Sequence, residues 1–120
     1  MKVHEVIADI HVSDLEGARD FYEGFLGLGT EEFNLGWVAR FTSPETGAHV
    51  QLVTEDAAAP ESPVVSIKVD DVDAAFAEAV GRGLDIVHPL TTEPWGVRRF
   101  FVRDPDGNVI NIAAHREPVD

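Results

Sequence analysis

The sequence predicts an α+β domain made of two copies of one βαβββ module. Three observations carry this. There is an internal repeat at offsets of 56 to 60 residues, each copy holds a capped and glycine-terminated helical segment, and β-branched runs close on proline–glycine turns.

The repeat is read directly. Ile10-His11-Val12-Ser13-Asp14 matches Ile67-Lys68-Val69-Asp70-Asp71, with apolar, acidic and small residues in step. Gly27-Leu28 matches Gly83-Leu84, Leu35-Gly36 matches Trp95-Gly96, and the turn glycine Gly47 matches Gly107. Two copies at so long a period describe a duplicated half-domain and not a solenoid. Module 1 covers about 3–54 and module 2 about 64–115, within a single domain spanning 1–120. The small, acidic and proline-rich stretch 55–63 is the linker.

Within each module the hydrophobic period switches. Ile7 to Val12 and Val64 to Val69 are strand-like. Ser13 fits an N-cap with Glu16 completing a capping box, and Leu15, Ala18, Phe21, Tyr22 and Phe25 follow at helical spacing until Gly27. In module 2, Asp70 or Asp71 caps a stripe of Val72, Ala75, Phe76, Ala79 and Val80 that ends at Gly83. Two or three strands follow in each half. The clear ones are Val38 to Thr42, His49 to Val53, Val97 to Arg103 and Val109 to Ala113.

Alternation along a strand separates two faces. One row is apolar in each case: Ala8, Ile10 and Val12; Val50 and Leu52; Val65, Ile67 and Val69; Ile110 and Ile112. It is expected to pack on the helix of its own module. The other row is mixed, and a face with polar groups among apolar ones meets water or a ligand. The pattern does not assign Arg40, Phe100 or Phe101 to a face.

Composition narrows the function. The chain has no cysteine, which excludes disulfides, thiolate metal sites and cysteine nucleophiles. Its formal net charge of −13 makes nucleic acid and anionic membranes poor partners, and it favours neutral or cationic ligands slightly. No apolar run reaches membrane-span length and no signal peptide is apparent, so a cytoplasmic protein is expected.

Two stretches carry a family resemblance. Ile10-His11-Val12-Ser13-Asp14 with Ala18, Phe21-Tyr22 and Leu26-Gly27, and Trp95-Gly96 with Phe100 and Arg103-Asp104-Pro105-Asp106-Gly107-Asn108, resemble the two signatures of the vicinal-oxygen-chelate superfamily. This group includes glyoxalases, bleomycin-resistance proteins and extradiol dioxygenases. The resemblance implies a cup-shaped, half-open eight-stranded barrel, often completed between two chains, and hence a homodimer. Metal-dependent members hold a divalent ion with His and Glu from the first and last strands of each module. The matching positions here are Ile7, Gln51, Val64 and Asn111, all on the mixed row. Two amides among aliphatic groups do not suit a transition metal, so no metal and no cofactor is expected.

Other residues of the mixed row are candidate ligand contacts. Asp9, His11 and His49 form a possible acid–base set or, as an alternative, an irregular divalent-metal site, set against a plain reading as solvated or paired rim residues. Ser66 lies on the same row. Trp37 and Trp95, beside glycines at matching places in the repeat, either wall a flat ligand or fill the fold. His4, His88 and His115 are expected at the surface. Arg98, Arg99 and Arg103 either bind a carboxylate or pair with neighbours such as Asp104 and Asp106. The turn 104–108 lacks calcium-loop spacing and reads as structural.

Three functions compete. The first is a metal-free binding protein sequestering a drug or other hydrophobic or cationic metabolite, as bleomycin-resistance relatives do. The second is an enzyme of the same superfamily (lyase, isomerase or dioxygenase) with relocated or no metal ligands. The third is an accessory domain that works through its surface.

Overall fold

A computed structural model describes residues 1–115. The elements are β1 (Val3–His11), α1 (Leu15–Arg19), which continues into a π-helical segment (Asp20–Phe25), β2 (Thr30–Asn34), β3 (Val38–Thr42), β4 (His49–Val53), β5 (Val65–Val69), α2 (Val72–Gly81), β6 (Ile86–Thr92), β7 (Val97–Arg103) and β8 (Val109–His115). This is the βαβββ order twice over, with strands β2 and β6 added to those legible by pattern. The strand order is β2-β3-β4-β1 in the first module and β5-β8-β7-β6 in the second, each with parallel and antiparallel pairs. The chain divides into two compact units. The first is Ile7–Ser62; the second is Met1–Val6 with the chain from Pro63 onward.

In the second unit α2 behaves as its sequence predicts. Asp71 is the N-cap, its carboxylate accepting from the Ala74 N–H, and Gly83 takes φ +70° just past the helix end. Val72, Ala75 and Ala79 pack with Val69, Phe100, Val102 and Ile112, while Ile67, Phe76 and Ile110 close the edge. Burying side chains of this size contributes roughly 1.5–3 kcal/mol each. Val80 departs from the expected stripe and is exposed. Asp70 instead accepts from the backbone N–H groups of Lys2 and Asp71, which holds its carboxyl below the usual range.

In the first unit three expectations are corrected. Asp14, not Ser13, caps α1, because its carboxylate reaches the Gly17 N–H; Glu16 turns to Arg19 instead of back to the cap. The helix then widens, with Leu26 N–H bonding to Phe21 O. The wider turn breaks the 3.6-residue spacing, so Leu15, Ala18 and Tyr22 stay with Ala39, Phe41, Val50 and Leu52, whereas Phe21 and Phe25 are exposed and stack on each other at 5.4 Å. The third correction concerns β1: only Val12 of its apolar row joins the core, and Ala8 and Ile10 are exposed. The short α1 covers β3 and β4 and stops there.

The turn 104–108 is a side-chain-to-backbone turn. Asp104 accepts from the N–H groups of Asp106 and Asn108 and from the Asn108 amide, and these bonds lower its pKa. The arginine cluster finds acids other than its sequence neighbours: Arg98 pairs with Asp73, Arg103 with Asp85 and Arg99 with Glu93.

Two outcomes follow from this packing. Leu52→Ala, at a fully buried position, lowers the unfolding free energy by about 2–5 kcal/mol in urea titrations. The depressed carboxyls of Asp70 and Asp104 bind fewer protons folded than unfolded, so their stabilisation is present above the unfolded carboxyl pKa and is lost as pH falls through the folded one. Asp104→Asn therefore flattens the decline of the urea midpoint on acidification; a slope equal to that of the parent would contradict this.

Candidate functional site

The strand registers settle which residues share the mixed face. Directly opposed residues point the same way. In the first unit Phe33, Arg40, Gln51 and Asp9 stand in line across β2, β3, β4 and β1. In the second unit His88, Phe101, Asn111 and Ser66 stand in line across β6, β7, β8 and β5. The repeat therefore builds the same four-residue row twice. Arg40 and Phe101 belong to the mixed face, while Phe100 lies opposite Ile112 in the helix-side core.

The first row is a continuous polar chain. Gln51 Nε2 donates to Asp9 Oδ1 at 2.7 Å, and the Arg40 guanidinium donates to Gln51 Oε1 at 2.8 Å. Arg40 also sits over the Phe33 ring at 5.1 Å and pairs with Glu32 at 3.5 Å. Glu32 accepts from the Thr42 hydroxyl; that bond first, then the charges of Arg40 and His49, lowers its pKa. Asp9 and Gln51 are both buried, where unpaired charge and amide would be heavily penalised. The chain of bonds meets that demand.

The second row is built differently. His88 Nε2 lies 2.9 Å from Glu93 Oε1, and both side chains are buried. Arg99 Nε approaches the same carboxylate at 3.4 Å, and its guanidinium packs over Phe101 at 4.7 Å and Trp95 at 5.1 Å. Asn111 Nδ2 donates to Ser66 Oγ at 3.0 Å, while Asn111 Oδ1 is shut from solvent with no hydrogen-bond partner. A buried acceptor left in this state costs on the order of 1–3 kcal/mol.

The remaining sequence-predicted residues are placed as follows. Ile7 is fully buried and Val64 is exposed, just before β5. His11 is exposed at the end of β1, and the half-buried His49 bonds through Nδ1 to Gly47 O at 3.0 Å. Trp37 is half-buried, its carbonyl accepting from Thr54; Trp95 is half-buried beside Arg99. Among the described residues no three His, Asp or Glu side chains gather closely enough to hold a metal ion, so Asp9, His11 and His49 do not form the trio that their shared row suggests. His4 and His115 are exposed as expected, but His88 is buried, because β6 sets it opposite Phe101 with its Nε2 on Glu93.

The four positions that the family resemblance matches to metal ligands are occupied as follows. Ile7 and Val64 offer no lone pair. Gln51 already spends its oxygen on Arg40 and its nitrogen on Asp9. Asn111 offers one neutral amide, which does not make a divalent-ion site.

Sequence reasoning missed Glu93, placed His88 at the surface and left Arg40 and Phe101 without a face; Arg99, read as a carboxylate binder or ion-pair partner, meets Glu93. Alternation left β3 and β7 unassigned, and β6 went unread behind Pro89. Matching the repeat position by position across all four strands of each module would have found the two rows.

Comparison with known proteins agrees with this architecture. Residues 3–112 match the family model of the Glyoxalase/Bleomycin resistance protein/Dioxygenase superfamily. No functionally curated protein matches the sequence significantly. Similar solved structures include the NAD-dependent benzaldehyde dehydrogenase of Legionella pneumophila, at 20% identity over 93% of this chain and 100% of that one, TM-score 0.74. The methylmalonyl-CoA epimerase of Mycobacterium tuberculosis is 23% identical over 97% and 90%, TM-score 0.71. A superfamily member from Vibrio splendidus 12B01 is 16% identical over 94% and 99%, TM-score 0.69. At these identities the structures establish a shared fold. With the duplicated modules, the two registered rows and a profile match over nearly its whole length, the chain belongs to the Glyoxalase/Bleomycin resistance protein/Dioxygenase superfamily.

Proposed function

We propose that this chain binds a small molecule on its mixed sheet faces without a metal ion, in the manner of a sequestering, bleomycin-resistance-like member of its family. The observation that carries the reading is Gln51. At a position where metal-dependent relatives place a ligand, its amide is bonded at both ends by Asp9 and Arg40. The side chains around it are organised to satisfy one another and leave no anionic cage for a cation. The acidic surface charge suits a neutral or cationic ligand. Ile7, Asp9, His11, Trp37, His49 and Gln51 from the first unit, with Val64, Ser66, Trp95 and Asn111 from the second, are the proposed contacts. We place the protein in the cytoplasm as a homodimer; no helix among the described residues is long and apolar enough to cross a membrane.

A second reading is metal-free acid–base catalysis in the same family. The His88–Glu93 pair favours it, since a carboxylate that fixes one ring nitrogen leaves the other as the ring's working atom.

Thermal shift with bleomycin and a panel of hydrophobic cations, with and without EDTA, tests the binding reading. A true ligand at about 100 times its Kd adds ~2.7 kcal/mol, and the corresponding rise in Tm persists in EDTA. His49→Ala and Trp95→Ala reduce it. A shift abolished by EDTA, or no shift with any ligand, contradicts the proposal.

A further inference from the structure

The helical segment of the first unit shows solvent an aromatic face that its spacing would have buried. Phe21 and Phe25 are 52% and 75% exposed, with ring centroids 5.4 Å apart. Leu26, 49% exposed, adjoins them, its N–H bonded to the Phe21 carbonyl. The π-helical turn Asp20–Phe25 produces this, sending only Tyr22 of its three aromatic residues to the core. Such turns are rare and are frequent at functional sites. Gly17, four residues before Phe21, is also exposed and carries no side chain.

An aromatic side chain presents 150–250 Å², so Phe21, Phe25 and Leu26 together leave roughly 350 Å² of apolar surface in one patch. A stable protein pair buries about 800 Å² on each partner, a little over half of it apolar. The patch supplies most of that apolar share, and its flanks must supply the polar remainder.

The flanks identify the partner. Read outward from Phe21, the segment complements its own reverse: Arg19 answers Glu23, and Gly17 answers Phe25. Two such segments packed antiparallel about a two-fold axis at Phe21 set that ring on its own copy. Each Phe25 then lies over the partner's Gly17, and each Arg19 points toward the partner's Glu23. An isologous interface requires a match of this kind. Within one chain Arg19 already gathers Glu16, Glu23 and Glu31 at 2.9, 3.0 and 3.1 Å, so a guanidinium stands ready at the rim of the patch.

We propose that the face carrying Phe21 and Phe25 is where two copies of this chain meet, about a two-fold axis at Phe21. The inference rests on the homodimer of the binding reading and names its contact. The segment packs on the Phe41 and Leu52 side of the first unit's strands, opposite Arg40 and Gln51. The pair therefore leaves the polar row of that unit uncovered.

Sedimentation velocity of the full chain, across the micromolar range, tests this. The parent is expected to associate reversibly to a dimer. Phe25→Ser, at an exposed position, weakens association on the order of tenfold by removing an aromatic anchor from both copies. The chain has no cysteine, so Phe21→Cys places a lone thiol at the proposed axis. Treated with diamide, that variant is expected to form disulfide-linked dimer much faster than Val80→Cys, an equally exposed control on α2. The crosslinking decides the question should Phe25→Ser not fold. A parent that stays monomeric throughout overturns both this inference and the homodimer beneath it. A dimer that survives Phe25→Ser, or that crosslinks no faster at 21 than at 80, overturns this inference alone, because the copies then meet through another face.

Discussion

Each unit of this chain has one helix for one face of its strands, and that constraint organises the rest. In β3, β4, β7 and β8 the apolar row goes to the helix, so Arg40, Gln51 and Asn111 on the alternating positions are delivered to the other face. There each is wholly or partly buried and must find a partner or carry a penalty. Gln51 shows the constraint met in full. It is buried, and it is bonded by Asp9 from β1 and Arg40 from β3, so the strands are tied across the mixed face as well as packed beneath α1. Phe41 and Leu52 on one face and the Asp9–Gln51–Arg40 chain on the other are two consequences of one alternation.

Much of this was legible before any coordinates. The duplication fixed the module order, and period-2 alternation placed Gln51, Asn111, Asp9 and Ser66 on a common type of face. What escaped has local causes. The seven-residue β6, which contains Pro89, was not among the strands legible by pattern, and with it went His88 and its bond to Glu93. Arg40 and Phe101 sit in strands whose faces the sequence pattern did not assign, and the register to β4 and β8 assigns them. The π-helical turn after Arg19 breaks the spacing that a helical stripe assumes, which is why Phe21 and Phe25 left the expected core. Asp14 outcompeted Ser13 as the cap for a similarly local reason, its carboxylate lying within reach of the Gly17 N–H.

The two rows also show how one fold is put to different uses. The family resemblance implies His and Glu at the positions of Ile7, Gln51, Val64 and Asn111 in metal-dependent members. In this chain those positions are apolar or amide. Ionic pairs lie beside these positions, Arg40 with Glu32 and Arg99 with Glu93. On the proposed binding reading, the faces offer a ligand shape and a small number of hydrogen bonds.

Isothermal titration of the protein with zinc and with manganese measures this directly. The account predicts heats of dilution only, because the amide of Gln51 is engaged and, among the described residues, no cluster of three acidic or imidazole groups replaces it. A saturable one-to-one isotherm that Gln51→Ala or Asn111→Ala abolishes would contradict it.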